Sequence, residues 1–231
     1  MLQIPDWLPR SNTVNLLAGA FLLSALYVAS QRRLLACVTA YQWNSVALAL
    51  IALTVALATG AKHIAFAALL VLGVKAIAIP TLLRRVAERS PSAAEGVPLI
   101  GISGGIPAGI PAGMLTCGAL VVVAFSQTRS LFESGLSILS SCLPVSVAVT
   151  LVALFVMVSR REAIMQVLGL VLLENAIFLA AVSLTYGMPL VVEMGVLLDL
   201  LVGVALLGLF VGRIEQTLGD SDTTRLDSLK G

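Results

Sequence analysis

Three ionisable residues lie near the middle of long apolar stretches in this chain of 231 residues. They are Lys75, Glu174 and Asp199, and a further acid, Glu193, lies near the start of the last stretch. A charge at the centre of a bilayer costs about 3 kcal/mol of insertion free energy, so such side chains face protein or internal water. Their positions therefore predict a functional site inside a membrane.

Carboxyl and amino groups in such surroundings can carry protons. A carboxyl group removed from water holds its proton more tightly, whereas a neighbouring cation favours release, and together these effects allow exchange near neutral pH. A buried ammonium group is also easily neutralised. We therefore predict proton transfer through Glu174, Asp199, Glu193 and Lys75. The alternative is a structural ion pair, or a side chain that extends to the membrane surface.

The side chains of the two acids in the last apolar stretch cannot both face the same partner. Glu193 and Asp199 are six residues apart, which is about 240° around an α-helix and about 9 Å along its axis. One of them is expected to face Glu174 on the preceding stretch. The other would then face a different subunit or a water-filled entrance.

The elements that hold these residues are predicted to be transmembrane helices. Apolar residues make up 59% of the chain and charged residues only 11%, far outside the range of soluble domains. Seven apolar runs are each long enough to cross a hydrocarbon core of about 30 Å. The predicted fold is all-α, a polytopic helical bundle with spans at residues 14–30, 36–59, 64–83, 99–125, 139–158, 163–184 and 189–211.

The basic residues predict the orientation of these spans, because Lys and Arg near span ends are retained on the cytoplasmic side. With seven spans, only Arg10, Lys62 and Arg129 lie on the opposite side. Ten basic residues lie on the cytoplasmic side: Arg32, Arg33, Arg84, Arg85, Arg89, Arg160, Arg161, Arg213, Arg225 and Lys230. The N-terminus is therefore predicted outside and the C-terminus in the cytoplasm.

Residues that bind metals or nucleotides are not clustered in the sequence. The cysteines, Cys37, Cys117 and Cys142, fall on separate runs without a C-x-x-C pair, and His63 is the single histidine. The sequence contains no glycine-rich phosphate loop, no nucleophile elbow and no basic tract suited to nucleic acid. We therefore expect no metal or cofactor in this chain, no catalytic centre of its own and no nucleic-acid partner.

Three C-terminal segments carry motifs that are typical of a known type of membrane subunit: SRREAIMQVLGLVLLENAIFLAAV, VEMGVLLDLLVGVALLGLF and TTRLDSLKG. They contain a basic turn, an acid followed by Asn, an acid four residues before a Gly, and an Asp-Ser tail. Residues 145–231 thus resemble the K-type small membrane subunit of complex I. With the additional four helices of residues 1–144, the whole chain resembles the E-type membrane subunit of hydrogenase-4, which belongs to group 4 membrane-bound nickel-iron hydrogenase and formate hydrogenlyase-like complexes.

The resemblance implies roles for individual residues. Glu174 takes the place of the essential acid in the middle helix of the K-type subunit, and Asp199 takes that of the acid in its last helix. Arg160 and Arg161 correspond to the basic cytoplasmic turn, whereas Glu193 has no counterpart. Because aspartate is one methylene shorter than the family's glutamate, direct proton transfer at position 199 would need a bridging water.

We therefore expect a non-catalytic subunit of an energy-converting respiratory complex in a prokaryotic inner membrane, which contributes to proton translocation. The resemblance implies nickel-iron and iron-sulfur centres in partner subunits. The expected partners are antiporter-like membrane subunits and hydrophilic hydrogenase-like subunits on the cytoplasmic side. Two alternatives remain. One is a subunit of a multi-subunit sodium/proton antiporter, and the other is a purely architectural subunit whose acids hold helices together.

Overall fold

The computed structural model describes residues 11–31, 33–60, 62–88, 110–133, 142–160, 163–185 and 203. Every secondary-structure element within these residues is a helix. The helices are α1 (Ser11–Ser30), α2 (Leu34–Thr59), α3 (contiguous segments Lys62–Leu70, Val71–Ala78 and Ile79–Glu88), α4 (Ile110–Glu133), α5 (Cys142–Ser159) and α6 (Ala163–Thr185).

Five of these helices, α1, α2, α3, α5 and α6, are long and apolar enough to cross a membrane. The apolar part of α4 is the shorter segment Gly113–Thr128. The prediction of an all-helical fold is therefore confirmed for the described residues, and five of their helices have the length and composition of membrane spans. Of the predicted seventh span, only Gly203 falls within the described residues, and it is helical. The total of seven spans and the positions of the two termini remain predictions.

The ends of the predicted spans agree with the described helices to within three residues, except at α3, which continues five residues beyond residue 83, and at α4. The predicted fourth span ends at residue 125, whereas α4 continues to Glu133 through the polar residues Ser126, Gln127, Thr128 and Arg129. Hydropathy reports where apolar residues end, and a helix can continue beyond that point. The first part of the predicted span, residues 99–109, lies outside the described residues.

Four of the helices form a closed ring. α1 packs against α2, α2 against α6, α6 against α5, and α5 against α1. The other two helices lie at the periphery, with α3 against α2 and α4 against α1 and α5. Short connections at residues 31–33 and 160–162 make α1 and α2, and α5 and α6, antiparallel neighbours. The interior of the ring therefore receives side chains from four helices.

Apolar side chains cover both the inside and the outside of this bundle. On α1, Phe21, Ala25 and Val28 are buried, whereas Leu16 and Leu23 on the opposite side are 74% and 67% exposed. Outward-facing leucines are typical of helices surrounded by lipid, because the apolar medium removes the penalty that water would impose. The pattern of burial thus agrees with a membrane environment.

The contact between α5 and α6 depends on a glycine. A Cβ atom at Gly169 would overlap Met157 Cγ and lie 3.3 Å from the carbonyl oxygen of Ala153. Small residues at such positions allow membrane helices to approach closely. Gly169 therefore fixes the distance between the two helices at this level.

The middle of α3 is wider than an α-helix. Residues Val71–Ala78 form a π-helix, in which each N–H bonds to the carbonyl five residues back, as the N–H of Ile79 does to the carbonyl of Val74. Pro80 supplies a cause, because it has no N–H and its ring would clash with the carbonyl of Ala76 in a regular α-helix. Local π geometry accommodates proline inside membrane helices.

Candidate functional site: a buried ion pair between α3 and α6

The central feature of the bundle is an ion pair between Lys75 on α3 and Glu174 on α6. Lys75 Nζ lies 3.1 Å from Glu174 Oε1, and the two side chains are only 1% and 5% exposed. Glu174 lies eleven residues after the start of α6, which is about 16 Å along the helix axis. The ion pair therefore lies at the midpoint of α6, a helix long enough to cross a hydrocarbon core of about 30 Å.

An aromatic ring completes the surroundings of the ammonium group. Lys75 Nζ lies 5.9 Å from the centroid of the Phe178 ring. Phe178 follows Glu174 by one turn of α6, so both side chains lie on the same face of that helix. The negative face of an aromatic ring attracts a desolvated cation. Two residues of α6, Glu174 and Phe178, therefore lie beside the amino group of Lys75.

A second polar group lies immediately beside Glu174 in the sequence. Asn175 Nδ2 donates hydrogen bonds to Asn44 Oδ1 at 3.0 Å and to Ser45 Oγ at 2.9 Å, both on α2. Asn44 Nδ2 in turn donates to the carbonyl oxygen of Phe21 at 2.9 Å and to Ser24 Oγ at 3.0 Å, both on α1. We refer to Ser24, Asn44, Ser45 and Asn175 as the asparagine network. It connects three of the four ring helices beside the ion pair.

Arg160, predicted as part of a basic turn, is buried at the end of α5 with 2% of its surface exposed. Its Nη2 donates to the carbonyl oxygens of Ala29 at 3.1 Å and Gln31 at 2.5 Å. These carbonyls lie at the end of α1, where the helix itself supplies no donors and a positive charge is favourable. Arg160 therefore caps α1 and joins its end to that of α5. Arg161 lies outside the described residues.

A further arginine marks the same end of the bundle. Arg84 Nη2 on α3 donates to Gln42 Oε1 at 2.8 Å and to Thr39 Oγ1 at 3.3 Å, both in the first half of α2. Since α2 begins just after the turn that Arg160 contacts, Arg84 and Arg160 share one end of the bundle. Both were predicted to lie on the cytoplasmic side, and which side of the membrane this end faces remains a prediction.

The structure brings together two of the four residues predicted to transfer protons, Lys75 and Glu174. Asp199 and Glu193 lie outside the described residues, so the expected approach of one of them to Glu174 stays a prediction. Asn44, Ser45 and Ser24 were not among the predicted site residues, because the prediction rested on ionisable residues within apolar runs. A search for any strongly polar residue in those runs would have found Asn44, in AYQWNSVALAL.

The cysteines are dispersed among the helices. Cys37, Cys117 and Cys142 lie on α2, α4 and α5, are buried, and form no disulfide. Across the described part of the chain, no three His, Cys, Asp or Glu side chains come together as metal ligands. The expectation that metal centres belong to partner subunits remains a prediction.

Apolar helices of membrane-spanning length around a deeply buried ion pair define a polytopic helical membrane protein with a charged centre. Comparison with known proteins then places it in a family. The chain is 31% identical over 218 residues to the uncharacterized protein Rv0085 of Mycobacterium tuberculosis, covering 94% of this chain and 96% of that protein. The chain belongs to the same family as this mycobacterial protein.

A weaker similarity extends over almost the same length. The chain is 26% identical over 222 residues to hydrogenase-4 component E of Escherichia coli strain K12, covering 96% of this chain and 99% of that protein. The corresponding protein of Shigella flexneri gives the same values. This full-length homology supports the hydrogenase-4 component E family. No family model matches the sequence, and no solved structure gives a significant match.

Proposed function

We propose that this chain is a non-catalytic membrane subunit of an energy-converting respiratory complex of the hydrogenase-4 or formate hydrogenlyase type, and that it contributes to proton translocation through buried carboxylates. The observation that carries the proposal is the ion pair of Lys75 and Glu174 at mid-depth. Ionisable residues at this depth are costly and typically mark ion paths or proton relays. Full-length similarity to hydrogenase-4 component E supports the choice of complex.

The ion pair has the chemistry of a proton relay. Movement of one proton breaks an Nζ–H bond of Lys75 and forms an O–H bond on Glu174, which leaves two neutral groups. A proton that instead reaches Glu174 from outside the pair cancels the charge that attracts Lys75. In either case the electrostatic attraction between α3 and α6 changes with the arrival or departure of one proton.

The remaining residues extend this path in the proposal. Asp199 and Glu193 carry protons between Glu174 and either another subunit or an aqueous entrance, as their spacing on one helix predicts. Arg160 and Arg161 correspond to the basic cytoplasmic turn of the K-type subunit, which residues 145–231 resemble. In this proposal the chain crosses a prokaryotic inner membrane seven times, with its N-terminus outside and its C-terminus on the cytoplasmic side.

The chemistry of hydrogen or formate belongs to partner subunits in this proposal. Hydrophilic hydrogenase-like subunits on the cytoplasmic side hold the nickel-iron and iron-sulfur centres, and antiporter-like subunits adjoin this chain within the bilayer. Its own contribution is to hold and move protons as those partners change conformation.

A second candidate is an architectural subunit, and the asparagine network favours it. Hydrogen bonds between Asn, Ser and their neighbours hold membrane helices together. An ion pair that never exchanges its proton would serve the same end. The two candidates differ in whether Glu174 is needed for transport or only for assembly.

The deciding experiment uses the complex purified in mild detergent with its partner subunits, identified by mass spectrometry, and reconstituted in vesicles. Glu174→Gln should abolish coupled proton uptake, measured with a pH-sensitive dye, while the subunits still copurify. The matched control is Glu88→Gln at the end of α3, which should leave uptake unchanged. Unchanged uptake with Glu174→Gln would contradict the proposal, and loss of assembly with that variant would favour the architectural candidate.

A further inference from the structure

The buried side of α3 does not fit a regular α-helix. Ile64, Lys75 and Leu83 are 1%, 1% and 0% exposed, so all three face the protein interior. At 100° per residue, Ile64 and Lys75 would differ by only about 20° around the helix, whereas Lys75 and Leu83 would differ by about 80°. On a regular α-helix the side chains of Lys75 and Leu83 would therefore point in directions about 80° apart.

The π-helical segment removes this mismatch. A π-helix holds more residues in each turn than an α-helix, so it rotates less per residue. Residues Val71–Ala78 include Lys75 and lie directly before Ile79, which is also buried. The underwound segment thus keeps Lys75 on the same face as Ile79 and Leu83.

The second half of α3 is fixed against α2 independently of the ion pair. Arg84 donates hydrogen bonds to Gln42 and Thr39, and Leu83 beside it is fully buried. If the middle of α3 became α-helical, this anchored half would hold its place. Lys75 would then rotate about the helix axis relative to it, because an α-helix turns by about 100° per residue and a π-helix by less.

We propose that Pro80 is a positioning residue that directs Lys75 toward Glu174 by imposing the π geometry on α3. Pro80 is buried, and it is the one residue of Lys62–Glu88 without a backbone N–H. Its missing donor and its ring disfavour the α-helical alternative over the preceding turn. The importance of this role for transport rests on the proposed function, whereas the effect of Pro80 on the ion pair does not.

The test measures the ion pair directly, through a double-mutant cycle on the purified complex. Thermal midpoints of the complex with Lys75→Met, Glu174→Gln and both substitutions give the coupling between the two side chains. The same cycle is then measured in a Pro80→Ala background, where the coupling should be lost. The matched control background is Pro144→Ala, which should preserve it, because Pro144 lies in the first turn of α5, where an N–H has no helical acceptor.

A deletion provides the complementary rescue. Removal of the exposed Ala78 in the Pro80→Ala background places Lys75 and Leu83 seven residues apart, about 20° from perfect alignment on a regular α-helix. The coupling between Lys75 and Glu174 should return, although both Pro80 and the π-helix are gone. This outcome separates an effect on geometry from any other effect of the proline.

These measurements test the role of Pro80 in the ion pair, whatever the chain transports. Coupling lost with Pro80→Ala and regained with the deletion supports it. Assembly that fails with Pro80→Ala and returns with the deletion supports it as well. Coupling that persists with Pro80→Ala, or that the deletion does not restore, overturns it. Proton uptake does not enter the measurement, so failure of the proposed function would leave this result intact.

Discussion

Asn175, which directly follows Glu174 on α6, donates a hydrogen bond of 3.0 Å to Asn44 on α2. Glu174 itself pairs with Lys75 on α3. Adjacent residues of an α-helix point about 100° apart. Glu174 and Asn175 therefore hold α6 from two directions, one toward α3 and the other toward α2. The rotation of α6 is fixed by polar contacts at the level where the proposed proton transfer takes place.

Substitution of Asn44 should weaken the bundle. Asn44→Ala removes one of the two acceptors of Asn175 and both hydrogen bonds that Asn44 donates to α1. This should cost about 1–3 kcal/mol and lower the thermal midpoint of the purified complex. Gln166→Ala, which removes an exposed amide from α6, should have little effect. An unchanged midpoint with Asn44→Ala would show that the asparagine network contributes no stability.

The ion pair should tolerate the loss of both charges better than the loss of one. Lys75→Met leaves a carboxylate in the interior without its cation, which should cost about 3–5 kcal/mol, whereas a neutral pair is often as stable as the charged one. The double variant Lys75→Met with Glu174→Gln should therefore regain a thermal midpoint close to that of the wild type.

Transport by the same double variant separates the two candidate functions. A proton relay needs groups that titrate, so proton uptake should remain abolished even though stability returns. If uptake returns together with stability, the ion pair is architectural. Copurification of the partner subunits provides the check that the complex has assembled.

The close approach of α5 and α6 should make Gly169 intolerant of larger residues. Gly169→Val places atoms where Met157 Cγ and the carbonyl oxygen of Ala153 lie, and overpacking of this kind typically costs about 1–3 kcal/mol. Gly118→Val on α4 is the matched control, because no atom lies within 4 Å of a Cβ atom placed there. The thermal midpoint should fall with the first variant only.

The helices could be predicted from the sequence because a helix that crosses a membrane needs a long run of apolar residues. The predicted sixth span, residues 163–184, agrees with α6 to within one residue. Lys75 and Glu174 were identified for the same reason, since a charge within an apolar run is conspicuous. The continuation of α4 to Glu133 was missed because hydropathy does not report helix ends formed by polar residues.

The pairing of Lys75 with Glu174 was not predictable from these rules. It depends on which helices are neighbours and on how far α3 is rotated, and the π-helical segment alters that rotation. Helical periodicity assumes 3.6 residues per turn throughout, so it fails where Pro80 widens the helix. Asn44 was missed because a neutral amide contributes little to a count of charges.

The contacts of Arg160 bear on whether the C-terminal region, residues 145–231, could fold without the rest of the chain. The sequence motifs predict that residues 145–231 resemble the three-helix K-type subunit, which raises the question whether they fold without residues 1–144. The guanidinium of Arg160, however, is bound by the carbonyls that terminate α1, a helix of the other region. A fragment beginning at residue 145 would lack these acceptors, so Arg160 would lose its two hydrogen bonds to the end of α1. We therefore expect residues 145–231 to need α1 for their stability.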